Sequence, residues 1–189
     1  SEAARFVILD RDGVINRDSP DYIKSPDEWI PIPGSLEAIA RLNHAGFTVV
    51  IATNQSGVGR GLFTINDLNA IHEKFQRALD RVGGHVDGIF FCPHTPEARC
   101  GCRKPEPGLL EAISARCGFP LAAVPVIGDS ARDAQAAIAV GARPIMVRTG
   151  KGAECHAAHP ELHRYDWYDD LATATCYLID DRASSGPRG

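Results

Sequence analysis

Short apolar runs alternate along this chain with segments in which apolar residues recur every three or four positions. Apolar runs of strand length predict β-strands at residues 6–9, 47–52, 88–91, 124–128 and 143–147. Helical spacing and cap residues predict helices at residues 35–45, 65–82, 108–116, 131–140 and 171–179. Because strands and helices alternate, we expect an α/β fold, a three-layer Rossmann-like parallel sheet with helices on both faces.

Two of the predicted helices have clear signals at their ends. Ser35 is a candidate N-cap of the first helix, which Gly46 ends. Thr64 is a candidate N-cap of the longest helix, and one apolar stripe of that helix is predicted to pack in the core. The stripe consists of Leu68, Ile71, Phe75, Leu79 and Val82.

Length and composition limit the number of domains and the partners. The chain has 189 residues, 44% hydrophobic and 23% charged, which suits a single domain. We place this domain at residues 1–182 and expect residues 183–189 to form a disordered tail. No apolar stretch reaches the roughly 18 residues that span a bilayer, and no signal-peptide pattern opens the sequence. We expect a soluble, cytoplasmic monomer with no membrane partner.

Charge favours a small substrate. The formal net charge is −4, and the charges form no block of one sign. Proteins that bind duplex nucleic acid usually carry a basic patch, so we expect no nucleic-acid partner.

Polar residues follow four of the predicted strands. Asp10 and Asp12 follow the first strand, Thr53 ends the second, Lys104 lies beyond the third, and Asp129 ends the fourth. Ligands of open α/β sheets bind at the carboxyl ends of the strands, so we expect these side chains to meet there. A polar turn would explain the first pair alone, but not four such positions.

Together these residues have the composition of a phosphoryl-transfer site that works through an aspartyl phosphate. Asp10 would be the nucleophile and would share Mg²⁺ with Asp129. Asp12 would protonate the leaving alkoxide and then deprotonate the attacking water. Thr53 and Lys104 would bind the phosphoryl oxygens, over which negative charge is spread.

The chain resembles the haloacid dehalogenase superfamily of aspartate-nucleophile phosphatases. Its motifs match Asp10-x-Asp12, Thr53, Lys104 and Gly128-Asp129-x-x-x-Asp133, over roughly residues 5 to 150. The resemblance implies that Asp10, Asp129 and the backbone carbonyl of Asp12 bind Mg²⁺. For Asp133 three roles stay open: facing the metal through water, orienting Lys104, or lying on a solvated helix face.

No insertion of the size of a cap domain separates these motifs. We therefore expect an open site without a large cap domain. Substrate would be recognised by short loops near Asp18 and residues 55–61, and by Arg103.

A cysteine-rich loop is the second strong signal. Four soft ligands fall within eleven residues: Cys92, His94, Cys100 and Cys102. Three thiolates and an imidazole are a common tetrahedral Zn²⁺ set, and four protein ligands predict a structural site that fixes Arg103 and Lys104. The alternative is a disulfide, but nothing else indicates an oxidising compartment, and a disulfide leaves His94 unexplained.

This loop makes the chain similar to the small zinc-containing phosphatases of the superfamily. That group includes heptose bisphosphate 7-phosphatases and histidinol-phosphate phosphatases, and the first are the more similar. The resemblance implies a small phosphorylated sugar as substrate and a step in heptose precursor synthesis for lipopolysaccharide or related glycans. The substrate-binding candidates are Asp18, Asn54, Gln55, Ser56, Arg60, Arg103 and Ser130.

Several alternatives stay open at this point. Another small phosphate ester, such as histidinol phosphate, would need the same catalytic residues. A zinc-stabilised binding module or a nucleic-acid end-processing phosphatase would be a different class of protein. Anomer preference is open because Ser130 stands where some family members carry Lys. Also open is whether a second group binds a ligand, namely Cys155, His156, His159 and His163.

Overall fold

Six parallel strands form one sheet in the part of the chain that the structure describes. The computed structural model describes residues 5–184. The strands are β1 (Arg5–Leu9), β2 (Phe47–Asn54), β3 (Gly88–Cys92), β4 (Pro125–Gly128), β5 (Arg143–Val147) and β6 (Asp166–Tyr168). Their order in the sheet is β3-β2-β1-β4-β5-β6. This is the strand order of doubly wound nucleotide-binding folds, so the predicted fold class is confirmed.

Within residues 5–184, seven α-helices connect or flank the strands. They are α1 (Ser35–His44), α2 (Ser56–Gly59), α3 (Ile65–Arg81), α4 (Gly108–Cys117), α5 (Ala131–Ala139), α6 (Gly152–Ala158) and α7 (Leu171–Ser184). The segments between β1 and α1 and between β2 and α3 hold only a short 3-10 turn (Pro26–Glu28) and α2. No large cap domain lies over the sheet edge within residues 5–184.

The core lies in two layers, one on each face of the sheet. Val7, Leu9 and Ile51 belong to a cluster that includes residues of α1, α3 and α7. Ile8 and Val50 point the other way, into a cluster with α4 and α5. Side chains of a strand alternate between faces, so β1 contributes to both layers and is buried throughout its second half.

The register brings the strand ends together. Leu9 of β1 lies opposite Ile51 of β2 and Ile127 of β4. The Asp10 amide continues this ladder, donating to the Ile127 carbonyl at 2.9 Å. Strands β2 and β3 lie on one side of β1, and β4 to β6 lie on the other. At this switch point an open α/β sheet forms a crevice.

Some boundaries differ from the sequence-based predictions. Ser35 is the first residue of α1 rather than its N-cap; Gly34, at φ 87°, occupies the cap, and the Ser35 hydroxyl donates to the Val14 carbonyl. Thr64 does cap α3, in a capping box with Asp67. Val82 lies beyond the end of α3 and is exposed rather than in the core.

Three short elements and the end of the last helix were also missed. The sequence predicted none of β6, α2 and α6, because three, four and seven residues are too few to show a period. Helix α7 continues through Ser184, two residues into the predicted tail; the rest of that tail lies outside the described residues. Across residues 5–184, no helix combines the length and apolar character that crossing a bilayer requires.

Candidate active site

Lys104 joins two carboxylates at the carboxyl edge of the sheet. Its Nζ donates to Asp133 Oδ1 at 2.6 Å, to the Ala52 carbonyl at 2.8 Å and to Asp10 Oδ1 at 3.2 Å. Lys104 and Asp133 are almost completely buried. An ammonium group has three protons, so these three acceptors satisfy it and fix its position.

Asp133 lies in the first turn of α5 and is not a solvated helix residue. Its Oδ2 accepts hydrogen bonds from the Asp129 and Ser130 amides at 3.2 and 3.1 Å and from the Ser130 hydroxyl at 2.9 Å. One carboxylate oxygen therefore caps α5, and the other holds Lys104. Of the roles left open, the structure supports the orienting of Lys104.

Asp129 lies beside Asp10 and is held by the loop after β5. The Lys151 amide donates to Asp129 Oδ2 at 2.9 Å. Gly13 and Gly150 pack so closely on this carboxylate that a Cβ at either position would clash with it. Carboxylate oxygens of Asp10, Asp129 and Asp133 lie within 4.8 Å of one another, a spacing that fits a shared cation.

The crowded carboxylates perturb each other. Burial and the Asp133 charge raise the pKa of Asp10 to about 7, although Lys104 opposes them. Burial and the charges of Asp10 and Asp133 raise the pKa of Asp129 to about 9. Burial would lower the pKa of Lys104, but the Asp10 and Asp133 charges outweigh it and raise it. Such mutual repulsion is what a divalent cation between the carboxylates relieves, so this donor set fits Mg²⁺.

Asp12 lies in a separate hydrogen-bond network. Its Oδ1 accepts from Arg11 and from Asn16, and its Oδ2 accepts from Gln55 Nε2 at 3.0 Å. Burial would raise the pKa of Asp12, but the Arg11 charge and these hydrogen bonds outweigh it and lower the pKa. Gln55 Nε2 also donates to Thr53 Oγ1 at 3.0 Å, so Gln55 links Asp12 to Thr53.

The predicted site residues surround one open cleft of about 400 Å³. All twelve residues predicted for catalysis, Mg²⁺ binding or substrate binding line it: Asp10, Asp12, Asp18, Thr53, Asn54, Gln55, Ser56, Arg60, Arg103, Lys104, Asp129 and Ser130. Their contacts differ. Asn54 exchanges two hydrogen bonds of 3.0 Å with the Lys104 backbone, so its side chain holds the Lys104 loop. Arg103 Nη1 is buried without a hydrogen-bond acceptor among the described residues.

Sequence reasoning missed four residues of this region. Tyr22, Arg132 and Lys151 line the cleft. The Lys151 ammonium lies 3.5 Å from Asp18 Oδ2 and so links the two sides of the cleft. His72 of α3 contacts the buried Arg11 side chain, with its Nε2 3.0 Å from Arg11 Nη1. None of the four belongs to a motif, although Arg132 lies within the spacing from Asp129 to Asp133.

The four soft ligands converge in the loop after β3. The Sγ atoms of Cys92, Cys100 and Cys102 lie 2.9 to 3.6 Å apart. His94 Nδ1 lies 3.4 and 3.3 Å from Cys92 and Cys102 Sγ. Ligands at about 2.3 Å from a tetrahedral Zn²⁺ would be roughly 3.8 Å apart, so this set fits zinc with small adjustments. No disulfide joins them.

The second histidine-rich group does not form a metal site among the described residues. His156 and His163 stack on each other, and His163 Nε2 also lies 2.7 Å from the His156 carbonyl oxygen. His159 Nδ1 lies 2.9 Å from a carboxylate oxygen of Glu161, and Cys155 is buried in a small apolar cluster. The potential metal-binding groups within residues 5–184 are the cysteine-histidine loop and the Asp10 cluster.

Comparison with protein families gives two matches. A polynucleotide kinase 3 phosphatase model matches residues 6–136, and a HAD-hydrolase-like model matches residues 101–174. The first covers well over half of the chain and includes all four catalytic motifs, from Asp10 to Asp133, so the chain belongs to this broad family of phosphatases.

Curated relatives match nearly the whole chain. A D-glycero-beta-D-manno-heptose-1,7-bisphosphate 7-phosphatase of Bordetella bronchiseptica is 58% identical over 94% of this chain and 99% of its own. Proteins of the same name from Neisseria meningitidis serogroup B and Escherichia coli are 50% and 38% identical, over 95% and 77% of this chain and 97% and 80% of their own.

Solved structures agree with this likeness. The D,D-heptose 1,7-bisphosphate phosphatase of B. bronchiseptica, complexed with magnesium and phosphate, has a TM-score of 0.91 and 51% identity, over 94% of this chain and 99% of its own. The Burkholderia thailandensis phosphatase of the same name has a TM-score of 0.74 and 46% identity, over 93% and 98%.

Proposed function

Because the chain belongs to the heptose bisphosphate 7-phosphatases of the haloacid dehalogenase-like hydrolases, we propose that it removes the 7-phosphate of D-glycero-β-D-manno-heptose 1,7-bisphosphate. The observation that carries this proposal is the cluster of Asp10, Lys104 and Asp129 at the switch point of the sheet. The reaction is the hydrolysis of a phosphoric monoester. Its product would serve heptose precursor synthesis for lipopolysaccharide or related glycans.

Two carboxylates divide the chemistry between them. An Asp10 oxygen attacks phosphorus and forms an aspartyl phosphate while the bond to the sugar oxygen breaks. The negative charge of a bound phosphoryl group would favour a proton on Asp12, against the Arg11 contact that lowers its pKa. Asp12 then gives this proton to the departing sugar oxygen and later takes a proton from the water that hydrolyses the aspartyl phosphate. Lys104 donates to Asp10 through the longest of its three contacts, and a phosphoryl oxygen can share that N–H. Thr53 lines the same cleft, and its hydroxyl would also bind a phosphoryl oxygen.

The Mg²⁺ site would use carboxylate oxygens of Asp10 and Asp129 and the backbone carbonyl of Asp12. When bound, the metal neutralises charge that would otherwise repel the nucleophile from the phosphate. The raised pKa values of Asp10 and Asp129 support this assignment, since both carboxylates need a counter-charge that Lys104 only partly supplies.

Arginines on the cleft rim would bind the rest of the substrate. The buried and unpartnered Nη1 of Arg103 supports a role in binding phosphate oxygens, which accept well from a guanidinium. Arg60 lies on the same rim, where it is exposed. Asp18 and Ser56 line the cleft and would contact the sugar hydroxyls. The Ser130 amide and hydroxyl donate to Asp133, so Ser130 would contact the substrate as an acceptor, through its hydroxyl oxygen.

Zn²⁺ would be structural in this protein. Cys92 ends β3 and is buried, whereas Cys100 and Cys102 lie on the loop that leads into Lys104. A tetrahedral ion bound by these thiolates and His94 would fix the chain two residues before Lys104. We propose that this is how the loop keeps Arg103 and Lys104 in place.

We further propose a single domain that acts as a monomer in the cytoplasm. One sheet and its two core layers contain all strands of residues 5–184, which supports the single domain. The six cysteines form no disulfide, which supports a reducing compartment.

A substrate panel tests the proposed function. Phosphate release would be measured with Mg²⁺ from heptose 1,7-bisphosphate, histidinol phosphate and a 3′-phosphorylated oligonucleotide, because one matching family model is named for a polynucleotide phosphatase. We expect kcat/KM to be highest for the heptose bisphosphate, by at least a factor of about 100, since a site that uses a distal phosphate loses that binding energy with other esters. Equal or better turnover of either other compound would contradict the proposal.

A further inference from the structure

We propose that Arg11 and His72 form a buried positioning pair that holds Oδ1 of Asp12, so that Oδ2 is the oxygen that carries the proton. The proposal rests on the proposed function, because it assigns the atom through which the acid and base steps of the phosphatase proceed.

Arg11 is a buried charge with defined partners. Its side chain is 0% exposed, although it lies between two aspartates at the edge of the cleft. Nε and Nη2 donate to the same oxygen, Oδ1 of Asp12, at 2.9 and 2.7 Å. A fully buried guanidinium is costly without a close counter-charge, and Asp12 supplies it.

His72 holds the remaining arm of the guanidinium. Its Nε2 lies 3.0 Å from Arg11 Nη1, and only the arginine can donate in this contact, because a guanidinium has no acceptor. His72 must therefore be neutral, with its proton on Nδ1. Burial and the Arg11 charge lower the pKa of His72 to about 3, in agreement with this geometry. His72 lies on α3, and that helix fixes the imidazole from outside the motif.

The two oxygens of Asp12 have unequal surroundings. Oδ1 accepts three hydrogen bonds, two from Arg11 and one from Asn16 Nδ2 at 2.9 Å. A proton on Oδ1 would point at donors that cannot accept it. Oδ2 accepts only from Gln55 among the described residues, and Asp12 lines the cleft with 23% of its side chain exposed. Oδ2 is therefore the oxygen that can gain and lose a proton.

Each proton movement then has one route. As the Asp10 oxygen bonds to phosphorus and the phosphorus–oxygen bond to the sugar breaks, the proton on Asp12 Oδ2 moves to the departing sugar oxygen. In the second step Oδ2 takes a proton from water, whose oxygen bonds to phosphorus while the Asp10–phosphorus bond breaks. Both steps need Oδ2 to point at the departing or attacking oxygen, and Arg11 maintains this direction by holding Oδ1.

The dependence on the leaving group tests this role. His72→Leu removes the acceptor for Arg11, and His72→Gln replaces it with an amide oxygen at similar reach. kcat/KM would be measured with Mg²⁺ for heptose 1,7-bisphosphate, whose alkoxide must be protonated, and for p-nitrophenyl phosphate, whose phenolate leaves without a proton. Phe75→Leu, another buried change on α3, is the matched control for lost packing.

We expect His72→Leu to lower kcat/KM for the heptose bisphosphate by about tenfold to a hundredfold, but less than about threefold for p-nitrophenyl phosphate, because general acid catalysis aids only the poor leaving group. His72→Gln should restore most of the loss, and Phe75→Leu should leave the ratio of the two values unchanged. An equal decrease for both substrates, or no decrease, would overturn the proposal.

A second variant covers the case in which His72→Leu does not fold. Arg11→Lys keeps a buried positive charge, but one ammonium on a flexible stem does not reproduce the planar fork that holds both Asp12 and His72. It should shift the ratio in the same direction, and an unchanged ratio in a folded Arg11→Lys enzyme would overturn the pairing. Wild-type enzyme that is inactive on the heptose bisphosphate would overturn the proposed function, whereas active wild type with an unchanged variant ratio would overturn the pairing alone.

Discussion

Asp133→Asn tests whether the buried ion pair between Asp133 and Lys104 stabilises the fold. The substitution keeps the size of the side chain but removes the charge that Lys104 Nζ contacts at 2.6 Å, where both side chains are at most 4% exposed. Breaking a buried ion pair by neutralising one partner typically costs about 3–5 kcal/mol. Lys104 keeps Asp10 and the Ala52 carbonyl as acceptors, so we expect the lower end, about 3 kcal/mol.

Thermal unfolding followed by calorimetry measures this loss. For a chain of this length about 1 kcal/mol corresponds to roughly 2–4 °C, so the Asp133→Asn midpoint should fall by about 6–12 °C. Asp169→Asn is the matched control, because Asp169 pairs with Arg148 at 3.4 Å while 83% exposed. An exposed pair contributes about 0–1 kcal/mol, so the control should change the midpoint by no more than about 4 °C. Equal changes of the midpoint in the two variants would show that the Asp133–Lys104 ion pair does not stabilise the fold in this way.

Four further predictions concern metals, pH and substrate. Burial raises the pKa of Asp10 to about 7 and of Asp129 to about 9, so Mg²⁺ binding near neutral pH should release protons and strengthen as pH rises. In the metal-free protein, the stability that these protonated carboxyls contribute below their ordinary pKa of 3.8 should be lost as pH rises through 7 and 9. Calorimetric titration in buffers of different ionisation enthalpy would detect the protons, and a buffer-independent heat would argue against them. Cys100→Ser should reduce the bound zinc, measured by elemental analysis, and lower the unfolding midpoint. The control Cys117→Ser should retain the zinc. Full zinc occupancy in Cys100→Ser would exclude Cys100 as a zinc ligand. Arg103→Ala should raise KM for the heptose bisphosphate about tenfold, because one charge-assisted hydrogen bond contributes roughly 1.5 kcal/mol or more. The change in KM for p-nitrophenyl phosphate, which has no second phosphate, should be smaller. Equal changes in steady-state kinetics would argue against a contact between Arg103 and the second phosphate.

The catalytic residues at the carboxyl edge of the sheet could be predicted, because in this fold such residues lie at the ends of the strands. Asp10, Thr53 and Asp129 each follow a buried apolar run, and parallel strands place their carboxyl ends at one edge. Lys104 needed its motif as well, since it lies twelve positions beyond the end of β3, in a loop whose path cannot be inferred from periodicity. The structure adds that Asn54 holds this loop through the Lys104 backbone.

Other parts of the site depend on packing that has no local signal. Asp133 belongs to the fourth motif, but its sequence context left three roles open, and only the fold shows it buried against Lys104. His72 lies 61 positions from Arg11, and its polar contact is hidden within an apolar helix face. Lys151 enters the cleft from a loop next to α6, an element too short to predict. Contacts between single side chains that lie far apart in the sequence could therefore not be predicted.

The position of phosphate loss and its dependence on Asp10 distinguish a 7-phosphatase with an aspartate nucleophile from other phosphatases. Phosphorus NMR would follow heptose 1,7-bisphosphate incubated with Mg²⁺ and either wild-type enzyme or Asp10→Asn. We predict that wild type releases inorganic phosphate from position 7 and leaves the 1-phosphate intact, while Asp10→Asn, folded and with its zinc retained, releases none. Loss of the 1-phosphate first, or phosphate release by Asp10→Asn at the wild-type rate, would contradict it.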